Sequence, residues 1–181
     1  RRSKVNKLIG GVGVCTGIVA VMVLSTGAQA SDDDLAGKWI LQDAGSTQAT
    51  LDEAVENVAQ EMNFFIRALA RPVLKEQTQI CQQWILGWQA EQFQWQCDSA
   101  EVDSMPLAAQ GDVFKRDEEG VDISGTYQRT TDAVVLVLES ERGKRTNTWK
   151  QVSDNELLFS VKLESEKLPT PLTWSLSYKK E

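Results

Sequence analysis

Between Ala133 and Tyr178 the chain reads AVVLVLESERGKRTNTWKQVSDNELLFSVKLESEKLPTPLTWSLSY, and this stretch decides the fold. Ala133 to Leu138 is a continuous apolar run, rich in β-branched residues and too short for an isolated helix. After a turn at Glu141-Arg142-Gly143-Lys144, Thr146, Thr148 and Lys150 alternate with Asn147, Trp149 and Gln151. Ser153-Asp154-Asn155 turns the chain again, and Leu157, Phe159, Val161 and Leu163 face one way. Beyond Leu168-Pro169-Thr170-Pro171, a last strand sets Leu172, Trp174, Leu176 and Tyr178 on one side, with Thr173, Ser175 and Ser177 opposite. Upstream, Val121, Ile123 and Tyr127 alternate around Gly125. Strands recurring roughly every 8–12 residues with turns between them mean an antiparallel barrel or sandwich.

The preceding half is more mixed. Gly37-Lys38-Trp39-Ile40-Leu41-Gln42 reads as a short opening strand, and Ala44 to Gln48 as a turn-rich break. Thr50 and Glu53 then form a capping box, and Leu51, Val55, Val58, Met62, Phe65 and Leu69 follow at spacings of four and three. The pattern predicts one amphipathic helix over about 51–71, ending before Pro72, with its stripe packed on the body of the protein. A lone helix against a sheet is also how a barrel acquires a plug or lid. Val73, Gln77, Ile80, Trp84 and Trp88 could line a second helix, whereas Phe93, Trp95 and Cys97 alternate strictly with Gln92, Gln94 and Gln96. A hairpin turning around Gln89 to Gln92 brings Cys81 beside Cys97, so strands are predicted at about 79–88 and 92–98.

The first thirty residues read as a cleaved export signal. Arg1, Arg2, Lys4 and Lys7 precede an uncharged run from Leu8 to Leu24, and Ala28-Gln29-Ala30 supplies small residues for signal peptidase. The run of about 17 residues also reaches the lower limit for a membrane anchor. Cleavage after Ala30 predicts a single periplasmic or secreted domain over 31–181, with membrane contact only through the signal before cleavage. Residues 1–30 hold four of the 19 basic residues and none of the 26 acidic ones, so the remainder has 15 basic against 26 acidic, a net charge of −11. Such a domain is repelled by nucleic acid and by anionic lipid. Cys15 leaves with the signal, and Cys81 and Cys97 are expected to form a structural disulfide in an oxidising compartment.

The chain contains no histidine, which excludes the usual nucleophile triads, His-containing zinc sites and histidine acid–base catalysis. There is no phosphate loop and no dinucleotide fingerprint. Carboxylates cluster at Asp117-Glu118-Glu119, at Glu139 with Glu141 and at Glu164 with Glu166, each near a turn or on a solvent face, where a solvated surface outweighs an acid pair. Asp32-Asp33-Asp34 lacks the spaced ligands of a calcium loop. No catalytic residue, metal site or cofactor is expected, and no protein partner is identified. Six tryptophans follow the signal, and inward aromatic residues in a barrel either fill a core or line a cavity. Trp39, Trp149, Trp174 and Tyr178, with Arg145 as a polar contact, are the candidate ligand-binding residues.

Gly37-Lys38-Trp39 resembles the G-x-W that opens lipocalins, and Thr131-Asp132 is similar to their later T-D-Y, although no tyrosine follows Asp132. Arg145-Thr146-Asn147-Thr148-Trp149 and the run from Leu168 to Tyr178 resemble segments of exported bacterial proteins of this kind, over most of the chain after the signal. The resemblance implies a lipocalin-like (calycin-type) barrel with one helix and assigns no activity. The sequence therefore predicts a mainly β protein, an antiparallel lipocalin-like barrel of about 8 strands with one long helix inserted after the first. Its expected role is non-enzymatic binding of a small apolar or amphipathic ligand. The alternative is a side-chain-filled barrel with a structural or protein-interaction role in the envelope.

Overall fold

A computed structural model of the 181-residue chain describes residues 35–107, 110–117 and 119–181. The expected export signal and its cleavage point lie outside the described residues. The order is β1 (Gly37–Leu41), α1 (Ala44–Gln60), α2 (Phe64–Gln77), β2 (Gln83–Gln89), β3 (Gln92–Cys97), β4 (Asp103–Pro106), β5 (Gln110–Arg116), β6 (Asp122–Arg129), β7 (Ala133–Ser140), β8 (Gly143–Ser153), β9 (Glu156–Glu164) and β10 (Leu172–Lys180). All neighbours pair antiparallel in one sheet, β4-β3-β2-β1-β10-β9-β8-β7-β6-β5. The sheet curls into a nearly closed barrel in which only β4 and β5 do not pair with each other. The barrel class stands, with ten strands in place of about eight and two helices in place of one.

The β7–β10 meander follows the expected register. Trp149 lies beside Phe159 and Val134, Leu176 beside Phe159, and Tyr178 beside Leu157, so the apolar sets of four strands share the inner face. The β2–β3 hairpin turns at Ala90 and Glu91, within the expected Gln89–Gln92. Both turn residues are left-handed, at φ 49° and 60°. The strand expected from residue 79 begins only at Gln83, because residues 78–82 form the connector from α2.

The expected single helix breaks at Glu61-Met62-Asn63. The Asn63 side chain accepts the Ile66 amide at 3.0 Å and starts α2, so the chain changes direction there. The capping box is displaced as well: Thr50 lies inside α1, its hydroxyl on the Ser46 carbonyl. Pro72 does not end a helix, since α2 continues to Gln77 without the backbone bond that proline cannot donate. Only the first part of the stripe packs inward, through Leu51, Val55, Val58 and Met62. Phe65 and Leu69 are 81% and 75% exposed, which corrects the expectation that the whole stripe meets the body of the protein. Beyond the break the same spacing belongs to a helix with a different axis.

α1 packs on β10, and α2 is held mainly by α1. Arg67 donates to the carbonyls of Ala59, Gln60 and Met62 at 3.0, 2.7 and 3.1 Å, which satisfies the open C-terminal end of α1 from the neighbouring helix. Arg71 forks onto Glu56 and Lys75 reaches Asp52 at 3.1 Å, but these pairs are solvent-exposed and orient more than they stabilise.

Where β4 and β5 lack a ladder, side chains close the wall. Met105 of β4 is buried over Gly125 of β6, and a Cβ on Gly125 would collide with the Met105 methyl and lie 3.3 Å from the Phe114 Cβ. Lys115 and Asp103 span the outside of the seam at 3.5 Å. Gly125→Ala is therefore expected to destabilise the barrel by about 1–3 kcal/mol through forced movement of Met105. In urea melts, adding Met105→Ala should recover part of that loss, a non-additivity that appears only if the two side chains compete for one space.

Candidate functional site

The inner face of β8 carries Arg145, Asn147 and Trp149 in succession, and this sequence divides the interior into two halves. The half toward the β2–β3 turn is solid. Trp149 is fully buried and its ring lies 5.5 Å from Trp84, 5.4 Å from Phe93, 6.1 Å from Trp95 and 5.2 Å from Phe159. Phe93 continues the cluster to Trp88 and Tyr127, and Trp95 continues it to Phe114. Trp39 is also fully buried, its indole N–H donating to the Leu35 carbonyl at 2.9 Å and its face covered by Lys180. Trp39 and Trp149 are placed here as filling.

The half toward the helices is open. A cavity of about 410 Å³ lies between the barrel mouth, the C-terminal end of α2, the β3–β4 turn and the seam between the start of β4 and the end of β5. Trp84, Trp95, Phe159 and Leu138 supply its apolar wall, and Arg145 and Asn147 are its inner polar groups. Cys81 and Cys97, joined as expected in a disulfide, sit at its edge, with Glu76, Gln77, Glu101, Asp103 and Lys115 around the rim. Of the five expected ligand-binding residues, the structure brings Arg145 alone into this wall. Trp174 lies behind it, with the guanidinium 5.7 Å from its ring centre. Tyr178 is buried with its hydroxyl donating to the Cys81 carbonyl at 2.9 Å, and burial raises its pKa, so it stays protonated.

Arg145 is the unusual group. Its Nε donates to the Asn147 side-chain oxygen at 2.9 Å and one Nη to the Gln77 carbonyl at 3.4 Å, at the end of α2. No carboxylate among the described residues pairs with it. Burial lowers its pKa, while a guanidinium keeps its charge throughout the usual range. The indole N–H groups of Trp149 and Trp174 are buried without a hydrogen-bond partner, and that of Trp84 is directed at the Tyr178 oxygen. The inner wall of the cavity thus presents a guanidinium and no carboxylate.

The acidic clusters belong to the surface. Arg142 pairs with Asp117 at 3.2 Å and with Glu119, and Glu164 takes Lys162 at 2.7 Å and Lys144 at 3.9 Å. Trp84, Trp95, Phe159, Leu138 and Asn147 form the cavity without having been singled out for it. For Asn147 a signal existed, since a polar residue one inward step from Trp149 has to meet something polar.

Together these features define an antiparallel ten-stranded β-barrel whose helix-capped mouth holds an aromatic-walled cavity with one guanidinium on its inner wall. No family model and no curated protein matches the sequence. Among solved structures the chain is similar to a secretory abundant heat soluble protein from Ramazzottius varieornatus, at 15% identity and a TM-score of 0.52 over 85% of this chain and 100% of that one. It is also similar to fatty-acid-binding protein 1 of Echinococcus granulosus (12% identity, TM-score 0.49, 82% and 98% covered). A REP1-NXSQ fatty acid transporter matches at 15% identity and a TM-score of 0.49, over 82% of this chain and 96% of that one. At these identities the likeness concerns the fold.

A half-buried cation without a counter-charge costs some stability that an apolar side chain of similar length would not, with solvent screening reducing the cost. Arg145→Met is expected to raise the unfolding free energy by about 1 kcal/mol. An unchanged or lowered urea midpoint would mean that the contacts to Asn147 and Gln77 already offset the burial of the charge.

Proposed function

We propose that this chain is an exported, non-enzymatic binding protein of the cell envelope that holds a small amphipathic molecule with an anionic head in its mouth cavity. The head group lies against Arg145 and Asn147, and the apolar part lies on Trp84, Trp95, Phe159 and Leu138. The observation that carries this reading is the Arg145 guanidinium, half-buried in the inner wall of the cavity and without an acidic partner among the described residues. An anion supplies the acceptors and the charge that the protein omits. The cavity volume is in the range of small-molecule sites, and a single guanidinium on its inner aromatic wall has their usual composition. The first thirty residues, as a cleaved signal, deliver the domain to the periplasm or outside the cell.

Fluorescence titration with a medium-chain carboxylate and with the matching alcohol tests the reading. The carboxylate should bind more tightly, and Arg145→Gln should weaken it about 10–100-fold, the scale of one charge-assisted hydrogen-bonded contact. Binding of the alcohol should change little. Equal loss of both ligands, or saturable binding of neither, would remove the anionic-head assignment.

A second reading has its own observation. Phe64, Phe65, Ile66, Leu69 and Val73 leave one side of α2 apolar and exposed, as expected of a protein-interaction surface. Under that reading the packed half of the barrel is a scaffold, and Phe65→Ser with Leu69→Ser abolishes partner capture without altering ligand titrations.

A further inference from the structure

We propose that the Cys81–Cys97 disulfide is a redox-sensitive gate, strapping the connector of residues 78–82 across the mouth of the cavity; the proposal rests on reading that cavity as a ligand site. Both sulfurs belong to residues that line the opening. Cys81 stands in the connector between α2 and β2, whereas Cys97 ends β3 in the barrel wall opposite Trp84. α2 itself rests on α1, so the end of α2 at Gln77 overhangs the mouth with little support from the sheet. Besides the disulfide, three hydrogen bonds tie this end to the barrel wall, the first from the Leu41 amide of β1 to the Gln82 carbonyl at 2.9 Å. Tyr178 donates to the Cys81 carbonyl at 2.9 Å, and Arg145 donates to the Gln77 carbonyl at 3.4 Å. The third uses the guanidinium assigned to the ligand, so a bound anion competes for it. With that bond given up, the disulfide holds the connector together with the Tyr178 and Leu41 hydrogen bonds, and it is the one tie of the three that a reductant removes.

A small dithiol operates the gate. One of its thiolates attacks a sulfur of the bridge, giving a mixed disulfide, and its second thiol resolves that bond. The reductant leaves as a cyclic disulfide, while Cys81 and Cys97 take up two electrons and two protons as free thiols. The barrel does not need the bridge for its ladder, because β2 and β3 remain paired from Trp84–Cys97 to Gln89–Gln92.

The test uses the full chain in oxidised form, after dithiothreitol, and as Cys81→Ser/Cys97→Ser, with 1-anilinonaphthalene-8-sulfonate as an anionic amphipathic probe. Reduction and the double substitution should each raise the probe's dissociation rate at least tenfold. Amide exchange of 76–82 should accelerate by a similar factor, while exchange in β8, β9 and β10 stays as it was. Unchanged dissociation and connector exchange after complete reduction would overturn the gate. Loss of protection throughout β8–β10 would overturn it as well, by making the bridge a clamp on the whole fold. If the oxidised protein fails to bind the probe, the ligand-site reading falls, and connector exchange alone then upholds or refutes the strap.

Discussion

The interior is organised by the burial of the Trp149 indole at the centre of the barrel. Four rings from three other strands meet it, and the strands have to curl around the cluster for those contacts to form together. Burying an indole removes about 200 Å² from water, worth roughly 5 kcal/mol before entropy is counted. Its unpaired N–H costs about 1–3 kcal/mol, so hydrophobic burial outweighs the missing hydrogen bond and the cluster is stable without one. The same cluster sets the depth of the cavity. Once one half of the barrel is filled with rings, a ligand can enter only the half under the helices, where β8 turns from Trp149 to Asn147 and Arg145.

How far the sequence could be read depended on how each element is buried. β7 to β10 were legible because each has one face fully inside, and strict alternation leaves no other register. β4 and β5 were not recognised. β4 has four residues and ends in Pro106, and β5 is an edge strand with two register shifts, charged residues and an exposed Val113. Edge strands of that kind suppress the alternation by which strands are found. The helix break was hidden because Phe65 and Leu69 continued the apolar spacing in phase, while the Asn63 cap, the real signal, lay inside the stripe.

The site was partly legible for a related reason. Arg145 was legible as a polar contact for the aromatic residues of the last strands. Trp39, Trp174 and Tyr178 are inward as expected, but inwardness alone does not distinguish a wall from a filling. That distinction depends on height along the barrel axis, and height follows from the pairing of strands distant in sequence. Trp84 and Trp95 reach the cavity because β2 and β3 stand across the barrel from β8, a relation absent from local periodicity. The disulfide was accessible because its geometry is local: a hairpin turning at Ala90 and Glu91 brings the α2–β2 connector beside the end of β3.

An inner wall with a guanidinium and no carboxylate has a consequence for why such a charge persists. A core selected for stability alone would place an apolar residue at 145, since Leu138 and Leu163 already flank it in the ladder. Of the contacts that remain, one is an amide oxygen and the other is a carbonyl at the end of α2, where the helix dipole is negative. Neither neutralises a full charge. On the reading proposed above, an incoming anion would do so and would withdraw the guanidinium from the Gln77 carbonyl. Occupancy and the hold on α2 would then be opposed through one side chain, leaving the disulfide and the hydrogen bonds to the Cys81 and Gln82 carbonyls to keep the mouth closed.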